Sequence, residues 1–380
     1  MNFEAITPKS TIVVGMSGGV DSSVTAAILK ERGYNVIGLF MKNWEEIDDT
    51  GVCPAEEDYK DVISVCEKLK IPYKSVDFIK EYRDQVFAQF LDEYERGFTP
   101  NPDILCNREI KFKVFLEKAL EIGADYLATG HYCQNFYKDG EHIMAKGVDN
   151  GKDQTYFLYT INSKILKNVL FPIGDLKKSE VRKIAAKYDL QTKDKKDSTG
   201  ICFIGERNFK KFLSQYIQIK TGPLKLLDGT IVGEHSGMAF YTLGQRKGLG
   251  LGGSGAPWFV VGKDADSNTV YVERGEAHPA LYRDYLTANE LTWVNENFKL
   301  SEPLKCKAKV RYRQPDQDCI LINIGNNEIR VDFDLPQRAI TPRQSIVFYR
   351  KDQCLGGAMI IKGGPSYFEQ KKDLPKIIGV

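Results

Sequence analysis

The chain has 380 residues, 42% hydrophobic and 27% charged, with 20 Phe and 19 Tyr; this globular mix has room for two or three domains and excludes wholesale disorder or a small stapled scaffold. Its net charge of +2 hides an asymmetry: residues 40–125 hold 12 Lys/Arg against 20 Asp/Glu, whereas residues 138–220 hold 17 against 10, so the second stretch either faces a polyanion or is a solvated face of lysine-bearing helices. Eight cysteines without a C-x-x-C pair exclude a disulfide framework and a cysteine zinc site, and no metal-ligating cluster is expected. The opening MNFEAITPKS has no apolar core, and no later apolar run approaches the ~18 residues of a membrane helix, which reads as a cytoplasmic protein without membrane contact.

In chain order, Thr11–Gly15 reads as a β-branched strand, Gly18-Gly19 as a tight loop, and Val20 to about Arg32 as a helix. Asn35–Met41 is a second strand, Pro54–Leu69 a helix, Tyr73–Phe78 a third strand, Glu81–Arg96 and Arg108–Ile122 two more helices, and Tyr126–Thr129 a fourth strand. Strands alternating with helices predict an α/β, doubly wound parallel sheet whose ligands sit at the carboxyl ends of the strands. The pattern changes near Asn208. Beyond Tyr285 the short alternating runs Cys306–Arg313, Cys319–Ile324 and Ile346–Tyr349 predict a small β domain. Boundaries are expected near 207 and 287, dividing the chain into 1–207, 208–287 and 288–380. Gly248–Gly253 reads only as a glycine-rich loop.

Between the first strand and first helix lies Gly15-Met16-Ser17-Gly18-Gly19-Val20-Asp21-Ser22-Ser23. Glycines there let the backbone approach an anion, the helix start favours negative charge, and the serines add hydroxyl donors. The loop lacks the lysine of a Walker A motif and the G-x-G-x-x-G of a dinucleotide fold. It resembles the SGGxDS signature of the PP-loop ATP pyrophosphatases, which implies ATP cleavage between the α and β phosphates, with Asp21 positioning Mg²⁺ or the nucleotide. The same residues match the G-x-S-x-G elbow of α/β hydrolases, but the sixteen residues before Ser17 cannot supply an oxyanion-hole loop.

Two cysteines stand in loop-like contexts. Thr99-Pro100-Asn101-Pro102-Asp103-Ile104-Leu105-Cys106-Asn107 reads as a rigid two-proline loop ending in a thiol, just before a helix predicted to begin at Arg108. Arg108 and Lys111 nearby lower a thiol pKa, and Asp103 can take or give a proton. Cys202 follows Lys195-Lys196-Asp197-Ser198-Thr199-Gly200-Ile201 in a similarly electropositive setting. Each thiol is either reactive or a small buried hydrophobe. Cys66, Cys306, Cys319 and Cys354 read as core, and Cys53 and Cys133 stay open.

The segments GMSGGVDSS, GLFMKNWEE, TPNPDILCN, ATGHY, KDQTYFLY, KKDSTGICFIGER, TLGQRKGLG and VRYRQ occur in the order seen in the bacterial tRNA-specific 2-thiouridylases (the MnmA/TrmU family), and the resemblance spans nearly the whole chain. It implies a PP-loop domain, a small central domain and a C-terminal β-barrel-like domain gripping a tRNA anticodon arm. The implied activity is a sulfurtransferase reaction: ATP adenylates the C2 oxygen of the wobble uridine, and a cysteine persulfide delivers sulfur. By the same resemblance Cys202 carries the persulfide, Cys106 is the second cysteine, Asp103 is the acid/base, and the two thiols form a disulfide after transfer. ATP would be held by Gly15, Met16, Ser17, Gly18, Gly19, Val20, Asp21 and Ser22, with Met41 and Gly130 near the adenosine. The flipped base would meet Asn101, Pro102 and Asp103. His131, Lys152, Asp153, Gln154, Arg311, Tyr312 and Gln344 would contact tRNA, and a cysteine desulfurase or sulfur-relay protein would donate the sulfur. Other readings are a PP-loop synthetase adenylating a small molecule, which leaves both cysteines without work, a non-catalytic RNA-binding protein, and an iron–sulfur protein using Asp103, Cys106 and Cys202.

Overall fold

A computed structural model of the chain describes residues 6–45, 53–197 and 208–376. The expected persulfide residue Cys202 lies outside these described residues.

The first strand, β1 (Thr11–Met16), is buried on both faces, as a parallel strand between helical layers must be. Its alternation sends Ile12 and Val14 into one core and Val13 into the other, because successive side chains point to opposite faces. Helix α1 (Val20–Glu31) is buried from Ser22 to Leu29, which explains its nearly continuous run of small and apolar residues. The strands β2 (Asn35–Lys42), β3 (Tyr73–Asp77) and β4 (Tyr126–Ala128) follow, with α2 (Pro54–Leu69) packed over β2. Cys66 of α2 presses on β2 so closely that a Cβ at Gly38 would meet its Sγ at 2.7 Å. Burial pushes this thiol's pKa up to about 12, in keeping with a core role. After β4 the chain makes a hairpin, β5 (Cys133–Lys138) and β6 (Glu141–Lys146), before β7 (Val169–Leu170). The parallel sheet has the order β3-β2-β1-β4-β7, so its strand order reverses beside β1, where a ligand crevice opens.

Between β3 and β4 run α3 (Ile79–Tyr82), a π-helical turn over Arg83–Phe87, and α4 (Ala88–Glu95). Next come α5 (Pro102–Leu105), a π-helical stretch over Cys106–Val114 and α6 (Phe115–Glu121). Here the structure corrects the sequence reading. The helix starts at Pro102 instead of Arg108, so Cys106 lies within the helix and not at the end of a loop. Pro102 begins the helix because its missing N–H and fixed φ suit the first helical position.

Two one-turn helices, α7 (Thr155–Leu158) and α8 (Ser163–Leu166), lead to α9 (Lys178–Lys187) and α10 (Phe209–Leu213). The central part contains β8 (Gly222–Lys225), β9 (Ile231–His235), β10 (Trp258–Asp264) and β11 (Thr269–Arg274), ordered β10-β11-β8-β9. Six further strands, β12 (Tyr282–Trp293), β13 (Leu304–Lys309), β14 (Gln317–Gly325), β15 (Glu328–Arg338), β16 (Ser345–Arg350) and β17 (Gln353–Gly363), close into an antiparallel barrel, since β12 pairs with both β15 and β17. Closure leaves the barrel no open edge around a core that includes Leu286, Leu321, Val331, Phe348 and Ile360. The β5–β6 hairpin docks on β17 through Ala145 opposite Gln353. Tyr156 and Tyr159, both buried, reach the same barrel and bond Ser345 at 2.8 and 3.0 Å.

Candidate active site

The loop after β1 turns through Gly18, whose φ of +72° is left-handed and open to glycine at little cost. A Cβ there would stand 2.7 Å from the Asp58 carbonyl oxygen of α2, and one at Gly130, after β4, 2.8 Å from the Ser22 nitrogen. Glycine at both positions therefore lets two neighbouring segments close on the start of α1. Ser22 Oγ accepts the Ser17 N–H at 3.2 Å and donates to the Gly19 carbonyl at 3.1 Å, and Ser23 Oγ donates to the same carbonyl at 2.8 Å. Gly15 lies against the Phe115 ring of α6, the helix that follows the Cys106–Val114 stretch beyond a kink at Phe112. Met41 is the penultimate residue of β2, on the same carboxyl edge of the sheet, and is partly buried.

Asp21, in the first turn of α1, receives the Tyr132 hydroxyl at 2.8 Å and the Lys178 ammonium at 2.7 and 2.8 Å. Lys178 also reaches Asp197 at 2.8 Å, and Asp197 is paired with Lys152 at 2.7 Å and Arg182 at 3.1 Å. Burial opposes ionisation of Asp197, but the hydrogen bonds from Lys152 and Lys178 outweigh it and hold the carboxyl at about 2. Lys178, Arg182, Asp197 and Tyr132 were not among the sequence-predicted site residues. The signal available was the basic run Lys177–Arg182 at the start of α9, but its partner Asp21 is 157 residues away.

Asp103 sits in the first turn of α5, one turn before Cys106. Burial raises its carboxyl above the ordinary aspartate range, and the Lys111 charge opposes that shift. Cys106 is 2% exposed, and the neighbouring Asn107 donates through Nδ2 to the Phe157 carbonyl at 3.0 Å. The Asn107 Oδ1 is buried and accepts no hydrogen bond among the described residues; sequence reasoning passed over this residue, although it closes the TPNPDILCN segment. A buried acid and a thiol on one helix are the kinds of group that proton transfer beside a sulfur nucleophile requires.

The remaining sequence-predicted residues fall into several settings. Asn101 is partly buried and Pro102 buried at the start of α5. His131 Nδ1 and Thr129 Oγ1 share a hydrogen bond at 2.8 Å, and burial, reinforced by Lys111, holds its imidazole well below the ordinary histidine range. Asp153 is buried and accepts from the Gly147 and Thr155 N–H groups and from the Thr155 hydroxyl. Gln154 Oε1 accepts the Tyr132 N–H at 3.0 Å. Arg311 donates to the carbonyls of Leu243 at 2.7 Å and Ala339 at 3.1 Å, Tyr312 lies 4.4 Å from the Phe157 ring centre, and Gln344 donates to the Thr99 carbonyl. The structure thus brings the Gly15–Ser23 loop, Gly130 and Lys152 into one region around Asp21 and Asp197. Asp103 and Cys106 stand on the adjoining helix, with Tyr312 joined to it through Phe157 and Asn107.

Residues 10–206 match the family described as tRNA methyl transferase HUP domain, residues 210–274 the tRNA methyl transferase PRC-barrel domain, and residues 283–360 the aminomethyltransferase beta-barrel domain. The chain is 61% identical over 368 residues to the tRNA-specific 2-thiouridylase MnmA of Protochlamydia amoebophila, covering 97% of each chain. It is 59% identical over 350 residues to the MnmA of Staphylococcus carnosus, covering 92% of this chain and 94% of the relative. Among solved structures, a 4-thiouridine synthetase–RNA complex with bound ATP aligns over 54% of this chain and 50% of that one, at 18% identity and a TM-score of 0.37.

Proposed function

We propose, since the chain belongs to the tRNA-specific 2-thiouridylase family, a residue-level account of how it performs tRNA uridine 2-thiolation as a sulfurtransferase. The observation that carries this reading is identity of 61% across 97% of both chains, and the phosphate loop and the Asp103–Cys106 helix supply its chemistry.

The C2 oxygen of uracil is a poor leaving group. In the proposed reaction it attacks the α-phosphorus of ATP held by residues Gly15 to Ser22, with Met41 and Gly130 beside the adenosine; pyrophosphate leaves and the oxygen becomes part of an AMP leaving group. Glycines at 18 and 130 leave no Cβ in the cradle, and the α1 N-terminus favours the phosphate charge. Magnesium held mostly by phosphates and water needs only one or two carboxylates; Asp21 would hold it in exchange for its Lys178 contact, and when bound it would neutralise phosphate charge. Asp103, kept protonated to a higher pH than an ordinary aspartate by burial, can donate to the target base and take the proton back. The terminal sulfur of a Cys202 persulfide then attacks C2 and AMP departs. The Cys106 thiolate next attacks the Cys202 Sγ, leaving C2=S on the uridine and a Cys106–Cys202 disulfide that a thiol reductant reopens.

Asn101 and Pro102 would face the flipped wobble base. His131, Lys152, Asp153, Gln154, Arg311, Tyr312 and Gln344 would support the anticodon arm, directly or by shaping the surface beneath it. In this reading the chain divides at 207 and 287, a cysteine desulfurase or relay protein loads Cys202, and the enzyme works in the cytoplasm; no helix among the described residues is long and apolar enough to cross a membrane. The test incubates the protein with unmodified tRNA, ATP, Mg²⁺ and a persulfide donor, followed by nucleoside mass analysis. The expected product is 2-thiouridine at the wobble position, dependent on ATP and lost in Cys106→Ser and Cys202→Ser. ATP consumption that ignores tRNA would overturn the proposal in favour of a small-molecule synthetase.

A further inference from the structure

The segment that leads into α5 is held from outside its own domain. Gly97 turns through a left-handed φ of +77°, and its carbonyl accepts the Lys263 ammonium of β10 at 2.8 Å. A Cβ on Gly97 would touch the end of the Met238 side chain. Thr99 shares a hydroxyl–hydroxyl hydrogen bond with Thr242 at 3.2 Å, and its carbonyl accepts from Gln344 on the barrel turn before β16. On the same turn Arg343, itself at a left-handed φ of +66°, donates to Glu93, a carboxylate 2% exposed at the end of α4. Gly97 and Thr99 are partly buried, and backbone carbonyls shielded from water require partners. For Gly97 and Thr99 those partners come from residues 166 and 245 positions away.

From Thr99 onward there is little slack. Pro100 and Pro102 fix their own φ and restrict the residues before them, and the helix then carries Asp103 and Cys106 as one body. Displacing the Gly97–Thr99 carbonyls therefore displaces the acid and the thiol together.

We propose that Lys263 of the central region, helped by Thr242 and by Arg343 of the barrel, is a positioning residue that sets the Asp103–Cys106 helix against the substrate from outside the nucleotide-binding domain. Lys263 suits this task. Burial lowers its ammonium to about 8, and among the described residues its hydrogen bond goes to the Gly97 carbonyl. This inference deepens the proposed function and rests on Asp103 and Cys106 being its working groups.

The experiment compares wild type, Lys263→Met, Lys263→Arg and Thr242→Val in the full-length reduced protein. One measurement is thiolation at saturating tRNA and ATP, with KM for tRNA. The other is the alkylation rate of each cysteine by iodoacetamide, read by peptide mass. Lys263→Met is expected to lower kcat by about 10- to 100-fold, the scale of an ångström-sized misplacement, with KM for tRNA within about threefold. Lys263→Arg, which still donates to the Gly97 carbonyl, restores most of the rate, and Thr242→Val, which leaves no buried charge, gives a smaller loss in the same direction. Cys106 alkylation accelerates in Lys263→Met while Cys66 and Cys319, buried in other cores, keep their wild-type rates. Wild-type kcat in Lys263→Met, or faster labelling of all three cysteines together, overturns the inference. Failure of the underlying reading looks different: Cys106→Ser would still thiolate, whatever the labelling shows.

Discussion

Replacing Gly18 by alanine is expected to weaken ATP binding severely, while the same replacement at Gly33 leaves it intact. Both glycines hold left-handed backbone, at φ +72° and +83°, and an alanine in that region costs about 1–2 kcal/mol. At Gly33 nothing lies within 4 Å of the added Cβ, so the backbone cost is the whole penalty. At Gly18 the Cβ would stand 2.7 Å from the Asp58 oxygen and 2.9 Å from its Cα. These are main-chain atoms of α2 that cannot rotate aside, and overpacking of this kind adds about 1–3 kcal/mol. The loop relieves the resulting strain of about 2–5 kcal/mol by moving off α2. With 1.4 kcal/mol for each factor of ten, ATP affinity should fall by about thirtyfold to a few thousandfold. Gly19 is a second control: its φ is −96°, and the nearest atom to an added Cβ is Ser17 Oγ at 3.4 Å. Equilibrium dialysis with ATP and pyrophosphate release, alongside thermal melts, separate the three variants. Unchanged ATP affinity in Gly18→Ala, or an equal loss in Gly33→Ala, would refute the reasoning.

Lys178→Met removes the cation shared by Asp21 and Asp197. A carboxyl held at about 2 contributes stability that is complete above pH ~4 and lost as pH falls through about 2, at most about 2 kcal/mol here and less after solvent screening; the variant should therefore acid-unfold at a higher pH, followed by tryptophan fluorescence. Asp103→Asn should form no 2-thiouridine yet be at least as stable as wild type at pH 7. Burial raises the folded carboxyl, so its ionised form weakens the fold above that raised value and the penalty disappears as pH falls; a thermal melt showing marked destabilisation at pH 7 would count against this. Lys152→Ala should flatten the log–log salt dependence of tRNA affinity by roughly 0.7–0.9 if its ammonium meets a phosphate, and an unchanged slope in filter binding would assign it to Asp197 alone. Lys111→Met should move the alkaline limb of the pH–rate profile to higher pH, since the Lys111 charge lowers the Asp103 carboxyl and Asp103 donates in its protonated form; a limb that does not move would remove Asp103 from the titration.

Short-range chemistry was legible from the residues alone. The β-branched run before Gly18-Gly19, the periodicity of Pro54–Leu69 and the alternation beyond Tyr285 depend on the pleat, the helical turn and glycine's access to left-handed backbone, all properties of a few adjacent residues. The α/β sheet, the β-rich end and the glycine loop at the first strand-to-helix turn followed from them. The start of the Cys106 helix was misplaced, since a proline that ends one helix and a proline that begins the next look alike until the chain's path is known; Pro102 does the second. Only the tertiary structure decided who meets whom. Lys178 finds Asp21, Lys263 finds Gly97, and Gln344 finds Thr99 across separations of 157, 166 and 245 residues. Such pairings depend on how sheets and barrel pack, and no local pattern encodes a partner that burial and the need to satisfy every enclosed carbonyl and charge select only after the chain has folded.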